Sequence, residues 1–199
     1  MLRTVVGLAA CAAVGALLAQ SWLPFSGGFA GAAVLVAAAA RLRRHWQILR
    51  AAPETAERSA LLSGAGTLLC LGFFAAKLAI IGADADLASR AARAMAAELW
   101  TLVGASVLAQ WIARAPEALR DERDAAIASN ALAGACRLLL AAQLALVAWF
   151  GLSGAGASVR SPVLLVHLLI CSWMIAHAFY DLSCMHAYAR SRSSLHEPA

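Results

Sequence analysis

The sequence predicts an all-α, polytopic membrane protein with six transmembrane helices and both termini on the cytoplasmic side. Three observations carry this reading. The 199-residue chain is 62% hydrophobic and only 14% charged, well outside the roughly 25% charge of soluble domains. Its apolar residues gather into runs near the ~20 residues that one bilayer crossing requires. Its basic residues alternate in abundance from one connection to the next, as the preference of positive charge for the cytoplasmic face demands.

The first two spans come from one uncharged stretch. Thr4 to Ala40 carries no charged side chain and is too long for a single crossing at about 1.5 Å per residue. Pro24, Ser26, Gly27 and Gly28 sit at its middle and mark a turn. This divides it into spans over about 4–23 and 27–44. A secretory leader is the competing reading of the first run. No small-x-small cleavage site follows, and the lipobox-like Leu8–Cys11 stands too near the start for a normal apolar region. Further apolar runs place spans at about 59–81, 94–113, 129–150 and 162–181. Six crossings consume most of 1–199, so the chain is expected to be a single membrane domain.

Orientation follows from the arginines, which number fifteen against the single Lys77. With the N-terminus inside, eleven fall on the inner side: Arg3; Arg41, Arg43, Arg44, Arg50 and Arg58; Arg114, Arg120 and Arg123; Arg190 and Arg192. Only Arg90, Arg93 and Arg160 fall outside. Trp22, Trp100 and Trp149 lie at expected outer ends and Trp46 and Trp111 at inner ends, where amphipathic rings favour the headgroup level. Only Trp173 sits within a span. The arginine-rich composition and the two-sided charge pattern fit a bacterial inner membrane. They also account for the +5 net charge without nucleic acid. The five cysteines all fall in or at the end of spans and are expected as free thiols.

An internal echo joins Trp46–Glu54 to Trp111–Glu117, each linking one span to the next on the inner side. It suggests a parallel two-helix repeat. The same words also suit any inner connection, since Trp anchors, Pro opens a helix and Glu complements its N-terminal dipole.

Beyond the second copy stand Arg120, Asp121, Glu122, Arg123 and Asp124, with Ile127 three residues on and an apolar helix following. Over about thirty residues this resembles small uncharacterised bacterial integral membrane proteins with an RDERD-type cytoplasmic box. The resemblance implies a membrane fold and brings no catalytic role. Acidic groups suit a helix start. Like charges recurring at i,i+3 do not optimise it, which leaves open a surface that docks a cytosolic partner.

Ionisable groups inside spans cost about 2.5–3.5 kcal/mol each on insertion scales and are functional candidates. Lys77 and Glu98 fall at one depth near the outer side, either as an ion pair or snorkelling to the headgroups. Arg137 lies two turns into the fifth span. His177, Asp181, Cys184 and Tyr188 share one face of the sixth, so Arg137, His177 and Asp181 are expected in a polar nest near the inner mouth, or else at the interface. His186 points away from His177, and no zinc-site spacing, P-loop, GxSxG or other catalytic motif occurs. No metal, cofactor or enzymatic role is expected. His167 reads as a packing residue. Gly27 and Gly31, continued by Ala33 and Ala37, mark the second helix for close packing within the bundle or between copies in a homo-oligomer. Two functions remain open. One is a small-solute or ion transporter, channel or transporter subunit. The other is a non-transporting regulator that binds a cytosolic protein through 114–128.

Overall fold

The computed structural model describes residues 2–20, 25–48, 55–82, 88–113, 121–152 and 162–194. They form six helices: α1 (Leu2–Leu18), α2 (Gly27–Ile48), α3 (Thr55–Ile81), α4 (Arg90–Ala113), α5 (Glu122–Leu152) and α6 (Pro162–Ser194). Four of them, α3 to α6, are long and apolar enough to cross a membrane. Helix α1 is apolar but shorter, and in α2 the charges beginning at Arg41 interrupt the apolar run.

Helix limits exceed the expected spans where polar sequence continues the helix. The fifth begins at Glu122 rather than near 129, and the sixth runs to Ser194 rather than 181. Backbone hydrogen bonding sustains a helix past the point where its side chains suit lipid, so span ends and helix ends need not coincide. Each limit has a local cause. Asp121 Oδ1 accepts the backbone N–H of Asp124 at 2.7 Å, capping α5. Gly82, in the left-handed region at φ 95°, closes α3 with its N–H on the Leu78 carbonyl.

Helix α3 is the hub, packed against α1, α4 and α6, while α2 lies on α4 and α5 on α6. Contacts fix the directions. Leu8 meets Gly64 and Gly15 meets Leu69, so α1 runs parallel to α3. Gly28 meets Glu98, and Arg43 Nη1 donates to the Ile112 carbonyl at 3.0 Å, so α2 runs parallel to α4. Helices α3 and α4 are antiparallel, as are α5 and α6, where Asp124 meets Tyr188 and Gln143 meets Ser172. Thus α1, α3 and α5 point one way and α2, α4 and α6 the other.

Small residues permit this closeness. A Cβ on Gly15 would strike the Leu69 carbonyl, and one on Gly72 the Ala12 carbonyl, so α1 and α3 touch backbone to backbone. The expected stripe on α2 is half right. Gly27 and Gly31 are buried, against Leu18 and Leu102, but the buried face continues through Leu35 and Ala39. Ala33 and Ala37 are exposed, because steps of four from Gly31 keep to one face and a step of two leaves it. Around these contacts Leu69, Cys70, Phe73 and Leu102 form the central core.

Trp46 corrects an expectation. It is only 6% exposed and lies beneath the Arg58 guanidinium, 5.0 Å from the ring centroid, packed on Leu62 and Ala109. Its counterpart in the echoed segment, Trp111, is 68% exposed. Equivalent words in the two copies therefore occupy unlike environments. Pro53, Glu54, Pro116 and Glu117 lie outside the described residues. Trp100 and Trp149 are exposed, as is Trp173, while Trp22 lies outside the described residues. All five cysteines are free.

Candidate functional site: a carboxylate cavity among the last four helices

Two carboxylates, Glu98 half-buried and Asp181 buried, stand near opposite ends of the bundle, and their surroundings differ. At one end, Lys77 Nζ on α3 lies 3.1 Å from Glu98 Oε2 on α4. It is an ion pair rather than an aligned hydrogen bond, since that oxygen accepts none. Ser26 Oγ donates to the other oxygen at 2.8 Å. The Ser26 carbonyl accepts from the Ala30 N–H, which makes Ser26 the N-cap residue of α2. Glu98 therefore faces the positive end of that helix dipole. Gly28 lets α2 in so close that a Cβ there would lie 2.7 Å from Glu98 Cβ. Lys77 also lies over the Phe73 ring at 5.4 Å. Of the two readings left open for Lys77 and Glu98, the ion pair is the one formed, and every charge in it is answered by α2, α3 or α4.

At the other end, Asp181 on α6 is 1% exposed and its Oδ2 has no hydrogen-bond partner. His177 Nε2 on the preceding turn lies 3.8 Å from that oxygen, and the Ser63 hydroxyl of α3 also faces the carboxyl group. The same nitrogen lies 3.2 Å from Ser63 Oγ on α3. Helix α3 makes room for the acid at Gly64, where a Cβ would sit 3.2 Å from Asp181 Cβ. These groups line a cavity of about 290 Å³ bounded by Ser59 and Ser63 of α3, Gln110 of α4, Asp124 of α5, and His177 to Tyr188 of α6. As the spacing predicts, His177, Asp181, Cys184 and Tyr188 all face it. Asp181 and Tyr188 are buried among the helices.

Arg137 does not join them. It is exposed on α5 and contributes nothing to this cavity. The α5–α6 contact explains why: Ala131 and Ala135 are buried there, and steps of four along α5 turn residue 137 away. The acidic-basic box is likewise redistributed. Tyr188 OH donates to Asp124 Oδ1 at 2.7 Å, and Arg123 donates to Ser191 Oγ while lying over the Tyr188 ring. Asp121 caps α5 and, with Glu122, remains exposed. Arg120 lies outside the described residues. Two of the four described members thus tie α5 to α6, which weakens the docking expectation without removing the exposed pair.

Ser63, Gly64 and Gln110 are functional candidates that reasoning along single helices missed, and Asp124, expected in a docking surface, lines the cavity instead. A signal existed: Ser59, Ser63, Gly66, Thr67 and Cys70 fall on one face of α3 at steps of three, four and seven. His167, 3% exposed and edge-on to Phe74 with ring centroids 5.9 Å apart, packs as expected. His186 is exposed.

The geometry bears on what chemistry is available. One ring nitrogen of His177 faces both Ser63 and Asp181, whereas a nucleophilic serine relay needs the acid and the serine on opposite ring nitrogens. Among the described residues no group of three His, Cys, Asp or Glu side chains converges as a metal site. What remains is a cavity rich in acceptors with a buried carboxylate unmatched by a cation. Two apolar cavities adjoin it through shared residues. One of about 220 Å³ shares Gln110 and His177, and one of about 400 Å³ shares Ala128, His177 and Tyr180. No protein-family model, curated protein or solved structure matches the chain.

Proposed function

We propose that the protein is a bacterial inner-membrane transporter, or transporter subunit, for a small cationic solute or ion, with its binding site at Asp181. The carrying observation is that carboxylate, buried in a cavity with one oxygen unpartnered. Ionisable groups at such positions are costly and are retained where they handle ions or protons. Ser63, Gln110 and Tyr188 supply further oxygens or dipoles around it. Phe73 and Leu102, both 0% exposed, close the bundle between this cavity and the Lys77–Glu98 pair. The proposed state is therefore open toward the Asp181 end only.

Six crossings suit this reading. Helices α1 and α2 pack at the depths of α3 and α4, with directions alternating along the chain. Both termini and the α2–α3 and α4–α5 connections then lie in the cytoplasm with most of the arginines. In this reading the cavity lies toward that side, where Ala56, Asp124 and Tyr188 line it.

The test is flux in proteoliposomes. Purified protein should carry a monovalent or organic cation, read as uptake or a solute-evoked current. Asp181→Asn should abolish it while Arg137→Gln leaves it intact. Equal flux with and without the Asp181 carboxylate overturns the reading. The regulatory alternative retains one favouring observation, the exposed Asp121 and Glu122. A photo-crosslinker at position 122 that captures one defined cytosolic protein, in a chain without flux, would select it.

A further inference from the structure

The polar cavity does not stand alone. On its α5–α6 flank lies the groove of about 400 Å³, whose walls include Leu132, Leu139, Ala135 and Trp173. Leu132 is 56% and Trp173 69% exposed, so the groove opens sideways on the apolar belt of the bundle rather than at its end. The wall between groove and cavity is an aromatic pair. The rings of His177 and Tyr180 stack at 6.3 Å with planes 14° apart, and both residues line both spaces.

We propose that the site takes amphiphilic cations, an onium or ammonium head on an apolar body, which enter laterally from the bilayer through the α5–α6 groove. This rests on the reading of Asp181 as the binding carboxylate and adds the substrate class and route. Charge complementarity selects the head. Asp124 and Asp181 line the cavity, and among the described residues no Lys or Arg lines cavity or groove. Arg123 stands behind the Tyr188 ring and is engaged with Ser191. An anion would meet two carboxylates, whereas a cation meets the unpartnered Asp181 Oδ2 and aromatic faces that favour it. The apolar body is selected by the groove, which offers hydrocarbon and a Trp ring with few polar groups. Both volumes lie in or near the range of small-molecule sites. A hydrophilic cation could use the acid but would gain nothing from the groove.

The test uses the full chain in lipid nanodiscs with tetraphenylphosphonium as probe, counted above empty nanodiscs. Saturable binding is expected, weakened about tenfold or more by Asp181→Asn and by Leu132→Trp, which fills the groove from its exposed face. Tetramethylammonium and tetraphenylborate should fail to compete. Bound probe should also slow alkylation of Cys136, an exposed thiol in the groove wall. If Leu132→Trp binds like the parent, or tetramethylammonium competes as well as tetraphenylphosphonium itself, the lateral route and amphiphile class fall while a cation site at Asp181 stands. If Asp181→Asn binds the probe normally, the inference falls. If that variant also retains flux in proteoliposomes, the transporter reading falls with it. Should Asp181→Asn fail to yield monodisperse protein, Leu132→Trp and Cys136 protection decide the inference by themselves.

Discussion

Glu98 and Asp181 are both acids held among helices, yet one is closed and the other open. Glu98 has a lysine, a serine hydroxyl and a helix N-terminus around it. Asp181 has the Ser63 hydroxyl, a cavity, a histidine 3.8 Å away, and an oxygen with neither a hydrogen bond nor a lysine. The closed acid fastens α2, α3 and α4 where glycines let backbones meet. The open one stands where α6 joins the α5 arm, which packs chiefly on a single neighbour. A charge whose partners are all internal contributes to the fold, and one left unanswered is available to a ligand. Both were candidates in the sequence, and only their surroundings separate them.

The comparison breaks most readily at the glycines. Gly15→Leu and Gly72→Leu drive side-chain atoms into the Leu69 and Ala12 carbonyls. Backbone on both sides leaves little to yield, so each should cost at least the roughly 1–3 kcal/mol typical of overpacking. The expected outcome is aggregated protein, or a strong fall in melting temperature in detergent. Gly104→Leu, at an open position of α4, should behave like the parent.

Next comes the closed acid. Lys77→Met leaves a carboxylate whose side chain is only 18% exposed without its cation. Full burial would give about 3–5 kcal/mol, and partial solvation reduces this to roughly 1–2 kcal/mol. Adding Glu98→Gln should restore part of the loss. Additive melting shifts in the double variant would show that no coupling exists and that Lys77 merely snorkels.

The open acid should respond in the opposite sense. Asp181→Asn keeps the shape, removes a buried charge that no lysine or arginine answers, and should leave the melting temperature unchanged or higher while the proposed flux disappears. A melting loss as large as that of Lys77→Met would erase the distinction between the two ends.

Smaller effects sharpen it. Tyr188→Phe removes one donor to Asp124 and should cost about 1 kcal/mol, with flux altered because both residues line the cavity. Arg137→Gln should change neither melting nor flux, since its side chain is exposed and faces no other polar group of the site. Altered cation selectivity in that variant would return Arg137 to the nest from which the structure removes it.

Helix number, approximate limits and alternating direction were legible along the chain because they depend on local quantities: apolar run length, turn residues and the charges between runs. The face shared by His177, Asp181, Cys184 and Tyr188 was legible for the same reason, as helical period depends on spacing alone. Which faces meet is not local. Arg137 had the right depth and the wrong azimuth, and azimuth is set by Ala131 and Ala135 packing on α6. The acidic-basic box looked outward in sequence, but α6 continues thirteen residues beyond the expected end of its span at 181 and brings Tyr188 and Ser191 against Asp124 and Arg123. Trp46 looked like an anchor until the start of α3 placed Arg58 over it. One-dimensional pattern thus determined how many helices the described residues form, roughly where each lies and which residues ride together on it. Only three-dimensional packing decided which carboxylate is answered by a cation and which is left facing a cavity, because neutralisation depends on groups brought from other helices, tens of residues away.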